Sequence, residues 1–215
     1  MPVHVDAQFE IPVWAEHETE VTGFISQFIC GYYPTEYDPH WGEGYRKLVK
    51  IDKKWYMFSI LEALQHGYHT LFEHTVKGAH AAIVMFSINR AGSFDAAKDH
   101  VRKVKHVRTE AGLDPIPIAL VGNRTSVKGQ RVVTVEEVEV FRRTGSCEII
   151  AECFASHDDP SVIDKIFFDL GRAILNRPGK DRPKQKDSKL RPGEEVAMTG
   201  FRKRLAHKIK PIFGR

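Results

Sequence analysis

No stretch of this 215-residue chain approaches the roughly 18 consecutive apolar residues that spanning a bilayer requires. The first residues, Met1-Pro2-Val3-His4-Val5-Asp6, lack a basic stretch followed by an apolar one, so no secretory leader is expected. Cysteine is scarce. Cys30, Cys147 and Cys153 are odd in number and widely spaced, which excludes a disulfide framework and suits a reducing compartment, with all three expected as core thiols. Patterns that mark common active sites are missing too: no Gly-x-Ser-x-Gly, no Cys-x-x-Cys and no His-Glu-x-x-His occurs.

What is present supports a folded domain. Hydrophobic residues make up 42% and charged residues 28%, the balance of a chain with a normal core. The formal charge of +4 is unevenly spread: from Arg177 onward there are 13 Lys and Arg against 4 Asp and Glu, a surplus of nine, so the preceding body has a deficit of five. An acidic body with a basic tail predicts an electrostatic tether, and no nucleic-acid partner is expected.

Apolar periodicity alternates between two types. Residues 9–14 read as a strand that Pro12 pushes toward a sheet edge or start. Residues 21–29 have the spacing of a short helix, and residues 47–51 and 55–61 read as a hairpin turning at Asp52-Lys53-Lys54. The continuous apolar run 81–88 predicts a central buried strand. A helix over 94–109 capped by Ser93 follows, then a strand over 117–122. Next come a helix from Thr134 to Arg143 with Glu137 completing a capping box, a strand over 148–151, and a helix over 162–176 capped by Ser161. The last helix puts Ile163, Ile166, Phe167, Leu170 and Ile174 on one stripe. Strands alternating with helices predict a three-layer α/β fold: a mostly parallel, six-stranded sheet with helices on both faces. Ligands of such sheets bind beyond the carboxyl ends of the strands.

Three stretches carry a family resemblance in collinear order. They are Thr35-Glu36-Tyr37-Asp38-Pro39 with Tyr45-Arg46-Lys47, then Phe86-Ser87-Ile88-Asn89 with Ser93-Phe94, then Ala119-Leu120-Val121-Gly122-Asn123-Arg124. Together they resemble the first switch, the fourth strand and the guanine-recognition strand of the Ras-type small GTPases. The resemblance implies a Ras-like G domain over residues 1–176, a flexible basic linker over 177–199 and a basic amphipathic tail over 200–215. A retained site would take GTP or GDP with Mg²⁺.

Each functional motif departs from the family pattern. The phosphate loop, Gly-x-x-x-x-Gly-Lys-Ser/Thr, aligns with Ala15-Glu16-His17-Glu18-Thr19-Glu20-Val21-Thr22. Both glycines are gone, Val21 replaces the Lys, and Thr22 alone keeps a hydroxyl. No Gly-Lys-Ser/Thr occurs elsewhere in the chain. Glu16, Glu18 and Glu20 enter instead, and a carboxylate ~5 Å from a phosphate costs roughly 3 kcal/mol at an effective dielectric of 20. The segment reads as a solvated acidic loop, or as a contact for a cation or basic partner. At the second switch Glu62 takes the Asp position, the phosphate-sensing Gly is missing, and Gln65 aligns with the water-positioning Gln. At the first switch His40 stands where the family has a Mg²⁺-binding Thr, and imidazole is a poor ligand for that ion. Tyr32, Tyr33, Tyr37, Pro39 and Trp41 form an aromatic-rich surface for a protein partner, or rings that pack on the body. At the base site Asn123 remains, Arg124 imitates the family's Lys, Ser126 replaces the Asp that reads guanine, and the Phe154 backbone N–H is a candidate base contact.

Two readings follow. In one, the chain is a pseudo-GTPase that has no cofactor and acts in signalling through protein partners. In the other, it is a divergent GTP-binding hydrolase using Thr22, Glu62, Gln65 and Asn123. His66, His69 and His74 beside Glu73 complete no metal-ligand spacing. The tail gathers Arg202, Lys203, Arg204, Lys208 and Lys210 among Phe201, Leu205 and Ile209, a basic amphipathic stripe for an anionic membrane, or a nuclear-import patch. With no cysteine after Cys153 there is no prenylation box, so the expected location is cytoplasmic and peripheral at a membrane.

Overall fold

The computed structural model describes residues 3–15, 18–33, 44–63, 69–124, 129–156, 158–177, 188–190 and 196–198. Nine strands and five helices alternate through them in the order β1 (Val3–Val5), β2 (Ala7–Ala15), α1 (Glu18–Cys30), β3 (Gly44–Ile51), β4 (Lys54–Glu62), α2 (His69–Gly78), β5 (Ala82–Ser87), α3 (Ser93–Glu110), β6 (Ile118–Asn123), α4 (Val135–Arg143), β7 (Ile149–Cys153), α5 (Pro160–Asn176), β8 (Ser188–Leu190) and β9 (Val196–Met198). The main sheet runs β7-β6-β5-β2-β4-β3, with β9 added beyond β3. All pairs among the first five strands of that order are parallel; β3 is antiparallel to β4, and β9 to β3. The expected six-stranded α/β architecture is present.

The helices divide over two faces because each strand alternates its side chains. Phe9, Ile11 and Val13 of β2 point toward α1 and α5, where they meet Phe24, Phe28, Phe167 and Leu170. Trp14 points to the other face, among Val76, Phe94, Val101 and Val138 of α2, α3 and α4. On the first face the Phe28 and Phe167 rings stack at 3.7 Å between centroids. Helix α5 lies so close to the sheet that a Cβ at Gly171 would sit 2.5 Å from Ile51 Cδ1.

Several local expectations are corrected. Strand β2 is central, paired with β4 over Ala7–Val13 and with β5 over Val13–Ala15. Pro12 is tolerated there because the β5 ladder begins one residue after it. Ser93 is the first residue of α3, not its cap. Gly92 takes the cap position at φ 78°, and the Ser93 hydroxyl donates to Ser87 O at 2.7 Å. Asp159, not Ser161, caps α5: its carboxylate accepts from Ser161 N at 2.8 Å, and Pro160 begins the helix. The Thr134–Glu137 capping box is present. Helix α2 has no counterpart among the elements read from the sequence. The thiols divide, with Cys153 buried, Cys147 half-buried and Cys30 exposed. Finally, β8 and β9 lie inside residues 177–199, where a flexible linker is expected; at those six residues the chain is paired, to β1 and to β3. Among the described residues no helix is long and apolar enough to cross a membrane.

Candidate functional site

The candidate site lies at the carboxyl ends of β2, β4, β6 and β7, where the resemblance places nucleotide. Its first part is the connection from β2 to α1. Strand β2 ends at Ala15 and α1 starts at Glu18, so only residues 16 and 17 separate them. A phosphate loop needs several consecutive residues free of regular structure, so that their N–H groups turn inward on the phosphates. Of the aligned eight, Ala15 is in a strand and residues 18–22 are helical. The expected acidic loop is corrected accordingly: the backbone of residues 18–20 is the first turn of α1. Glu16 lies outside the described residues.

The second part joins α1, β3 and β4. The Thr22 hydroxyl donates to Glu62 Oε1 at 2.5 Å. The Tyr45 hydroxyl donates to the other oxygen, Oε2, at 3.1 Å. Tyr45 is buried, and burial, with Glu62 beside it, pushes its phenol well above the usual range. Thr22 and Glu62 are the two residues through which the resemblance implies Mg²⁺ would be held. Magnesium demands octahedral oxygens at about 2.0–2.1 Å, with waters retained between it and outer ligands. In donating its proton the Thr22 hydroxyl keeps its lone pairs, so this hydrogen bond leaves its oxygen able to face an ion beside the pair. A hydroxyl and a carboxylate are the oxygen donors Mg²⁺ prefers, so Thr22 and Glu62 would fit as its holders.

The third part is the base site. Asn123 is buried, and its side-chain oxygen accepts from Ala155 N at 3.1 Å, tying β6 to the β7–α5 connection. Arg124 donates its backbone N–H to Cys153 O at 2.8 Å and places its guanidinium 5.5 Å from the Phe154 ring centroid. The Phe154 N–H, expected to be available to a base, instead donates to Asp158 Oδ2 at 2.5 Å. Asp158 was not singled out in the sequence. Its signal is a carboxylate four residues after the tested N–H, a spacing at which an aspartate closes a loop on itself. Ser126 lies outside the described residues.

Of the aromatic surface, Tyr33 packs on the body: a Cβ at Gly23 would meet its ring at 2.3 Å. Tyr32 is half exposed. Tyr37, Pro39, His40 and Trp41 lie outside the described residues, as do Gln65, His66 and the tail residues Phe201, Arg202, Lys203, Arg204, Leu205, Lys208, Ile209 and Lys210. Among the described residues no three His, Cys, Asp or Glu side chains gather as metal ligands.

The model of the Ras family matches residues 18–176, most of the chain. The chain belongs to the Ras family. Two relatives have a similar reach. Protein ras-1 of Neurospora crassa is 28% identical over 177 residues, covering 81% of this chain and 75% of its own. The Ras-related protein O-RAL of Diplobatis ommata is 27% identical over 167 residues, covering 76% and 79%. The family match begins at Glu18, beyond the strand and connection that precede α1.

Proposed function

We propose that this Ras-family chain is a protein-interaction module of signalling that does not hold guanine nucleotide and Mg²⁺ in the manner of a working GTPase. The observation that carries the reading is the connection from β2 to α1, where only residues 16 and 17 separate strand from helix, too few for a loop whose N–H groups wrap a phosphate. The base site supports it, because the Phe154 N–H is engaged by Asp158. Partners are then recruited through the switch-like surface around Tyr32. The test is a thermal-shift titration with GDP and GTP, with and without Mg²⁺, together with chromatography of the denatured purified protein. No Mg²⁺-dependent shift and no co-purified nucleotide are expected. A rise of several degrees at micromolar nucleotide overturns the reading in favour of a divergent GTP-binding hydrolase.

We also infer from the sequence that residues 200–215 tether the protein at an anionic membrane, each cation contributing about 1 kcal/mol near the surface. Sedimentation with phosphatidylserine liposomes should retain the full chain and lose the chain cut after residue 199. Equal binding removes the tether.

A further inference from the structure

The tip of the β3–β4 hairpin gathers Lys50, Lys53 and Lys54, all exposed, around the half-buried Trp55. Lys50 and Trp55 are opposite each other on the two strands, and the Lys50 ammonium stands 5.6 Å from the ring centroid. None of the three lysines is ion-paired with a described residue. Two carboxylates lie close. Asp52 faces Arg172 of α5 at 4.0 Å, and Asp6 accepts from Trp55 N at 3.1 Å. Four cations against two carboxylates leave a surplus of two, in a body whose total is a deficit of five.

The tip also marks one end of the molecule. Lys54 opens β4 and Glu62 closes it, so the tip lies about 26 Å from the candidate site at roughly 3.3 Å per residue. Gly171 of α5 packs against Ile51, and α5 continues from there only to Asn176. The basic segment from Arg177 onward therefore departs at the tip's end of the sheet.

We propose that this tip is a membrane contact: Lys50, Lys53 and Lys54 meet the headgroups of an anionic bilayer, and Trp55 seats at its interface. The proposal stands on the hairpin alone and holds with or without the tail tether and the nucleotide reading. An ammonium is a compact point charge on a flexible stem, suited to a diffuse layer of headgroups and not to bidentate recognition. Trp55 is half-buried, while Tyr56, Met57 and Phe58 after it are buried. A tryptophan with an apolar body and one donor settles at the headgroup level. Contact at this end leaves the carboxyl ends of β2, β4, β6 and β7 facing away from the bilayer.

The experiment uses the full chain in four forms. One is unaltered, and one carries Lys50→Gln, Lys53→Gln and Lys54→Gln. A third carries Lys98→Gln, Lys103→Gln and Lys105→Gln, which removes the same charge from α3. The fourth carries Trp55→Phe. The probes are vesicles of phosphatidylcholine with and without phosphatidylserine, brominated on the acyl chains so that an indole at the interface is quenched. With phosphatidylserine, the unaltered chain should bind and its emission should fall, and Trp55→Phe should abolish most of that fall. The hairpin variant should partition at least about tenfold more weakly, and the α3 variant within about twofold of the unaltered chain. Vesicles without phosphatidylserine should bind none of the four. The comparison with Trp55→Phe keeps the test decisive even where the triple hairpin variant folds poorly. Equal partition of the two triple variants, or full quenching retained by Trp55→Phe, overturns the proposal. So does a change in Trp55 emission with polyglutamate but not with vesicles, which would assign the tip to an acidic protein. A failed tail tether looks different: cutting the chain after residue 199 would then leave binding unchanged, while the hairpin variant still loses it.

Discussion

Two buried polar residues on α3 do different work. His100 is 6% exposed, its ring 4.9 Å from Trp14 and 5.1 Å from Phe72 between centroids. Burial, then the nearby Lys103 charge, lowers its pKa from 6.5 to about 4. The unfolded chain therefore takes up a proton near pH 6.5 that the folded chain refuses. Stability is full above that pH and is lost as the pH falls toward the folded value, about 2 kcal/mol of it by pH 5. Urea titrations at pH 7 and pH 5 should show this loss, and it should shrink in His100→Gln. An undiminished loss in the variant would assign the pH dependence elsewhere.

Arg108 is 3% exposed and caps α2 from outside. Its guanidinium donates to Lys77 O at 3.2 Å, to Val76 O and Ala79 O at 3.4 Å, and to Asp114 O at 2.5 Å. Helix C-terminal carbonyls have no partners within their own helix, and a cation there also meets the negative end of the dipole. Arg108→Met should cost about 3 kcal/mol, by leaving several buried carbonyls without donors. Arg108→Lys should recover less than half of that, because one ammonium cannot reproduce the fork. Full recovery by Lys would show that charge alone matters. The sequence carries a signal for this residue: Arg108 falls on the stripe of Ala97, Val101 and Val104.

At the scale of elements, the hairpin between β3 and β4 turns on Asp52 and Lys53, both left-handed, at φ 46° and 70°. The turn that matches the twist of two antiparallel strands requires positive φ at both central residues, and glycine occupies it without steric cost. Lys53→Gly should therefore stabilise the protein by about 1 kcal/mol. The same change at Lys54, the first residue of β4, should destabilise it. Unfolding midpoints that move in the same direction for both variants would contradict the turn geometry. The hairpin itself was legible from its two apolar runs. Helix α2 was not, because its sequence, His-Thr-Leu-Phe-Glu-His-Thr-Val-Lys-Gly, has few strong apolar positions. It is held by packing of Phe72 on Trp14 and by Arg108 at its end.

For the whole molecule, the buried clusters of the described residues are built from residues before 177. Removing residues 177–215 should therefore leave the far-UV spectrum of the body intact and lower its unfolding free energy by less than about 2 kcal/mol. A larger loss, or a collapse of cooperativity, would mean that β8 and β9 are integral to the fold. The nucleotide titration belongs at this scale too. A chain that bound GDP tightly would gain stability by mass action, and its absence should be read as an unchanged melting curve.

The amino-acid sequence by itself determined the layers. The apolar run at residues 81–88 and the segment 117–122 predict buried strands, and the stripe from Ile163 to Ile174 predicts a helix packed by one face. It also determined that no Gly-Lys-Ser/Thr occurs in the chain, because identity is local information. Only the tertiary structure decided what the remaining groups do. Thr22 and Glu62 are forty residues apart and meet at 2.5 Å; the Phe154 N–H finds Asp158; residues 196–198 find β3. A hydrogen bond depends on tenths of an ångström between elements, and no periodicity along the chain encodes that distance. The tail shows the same limit. Its charge and prolines read as a linker, while β1 pairs three of its residues and the β3 edge of the main sheet pairs three more.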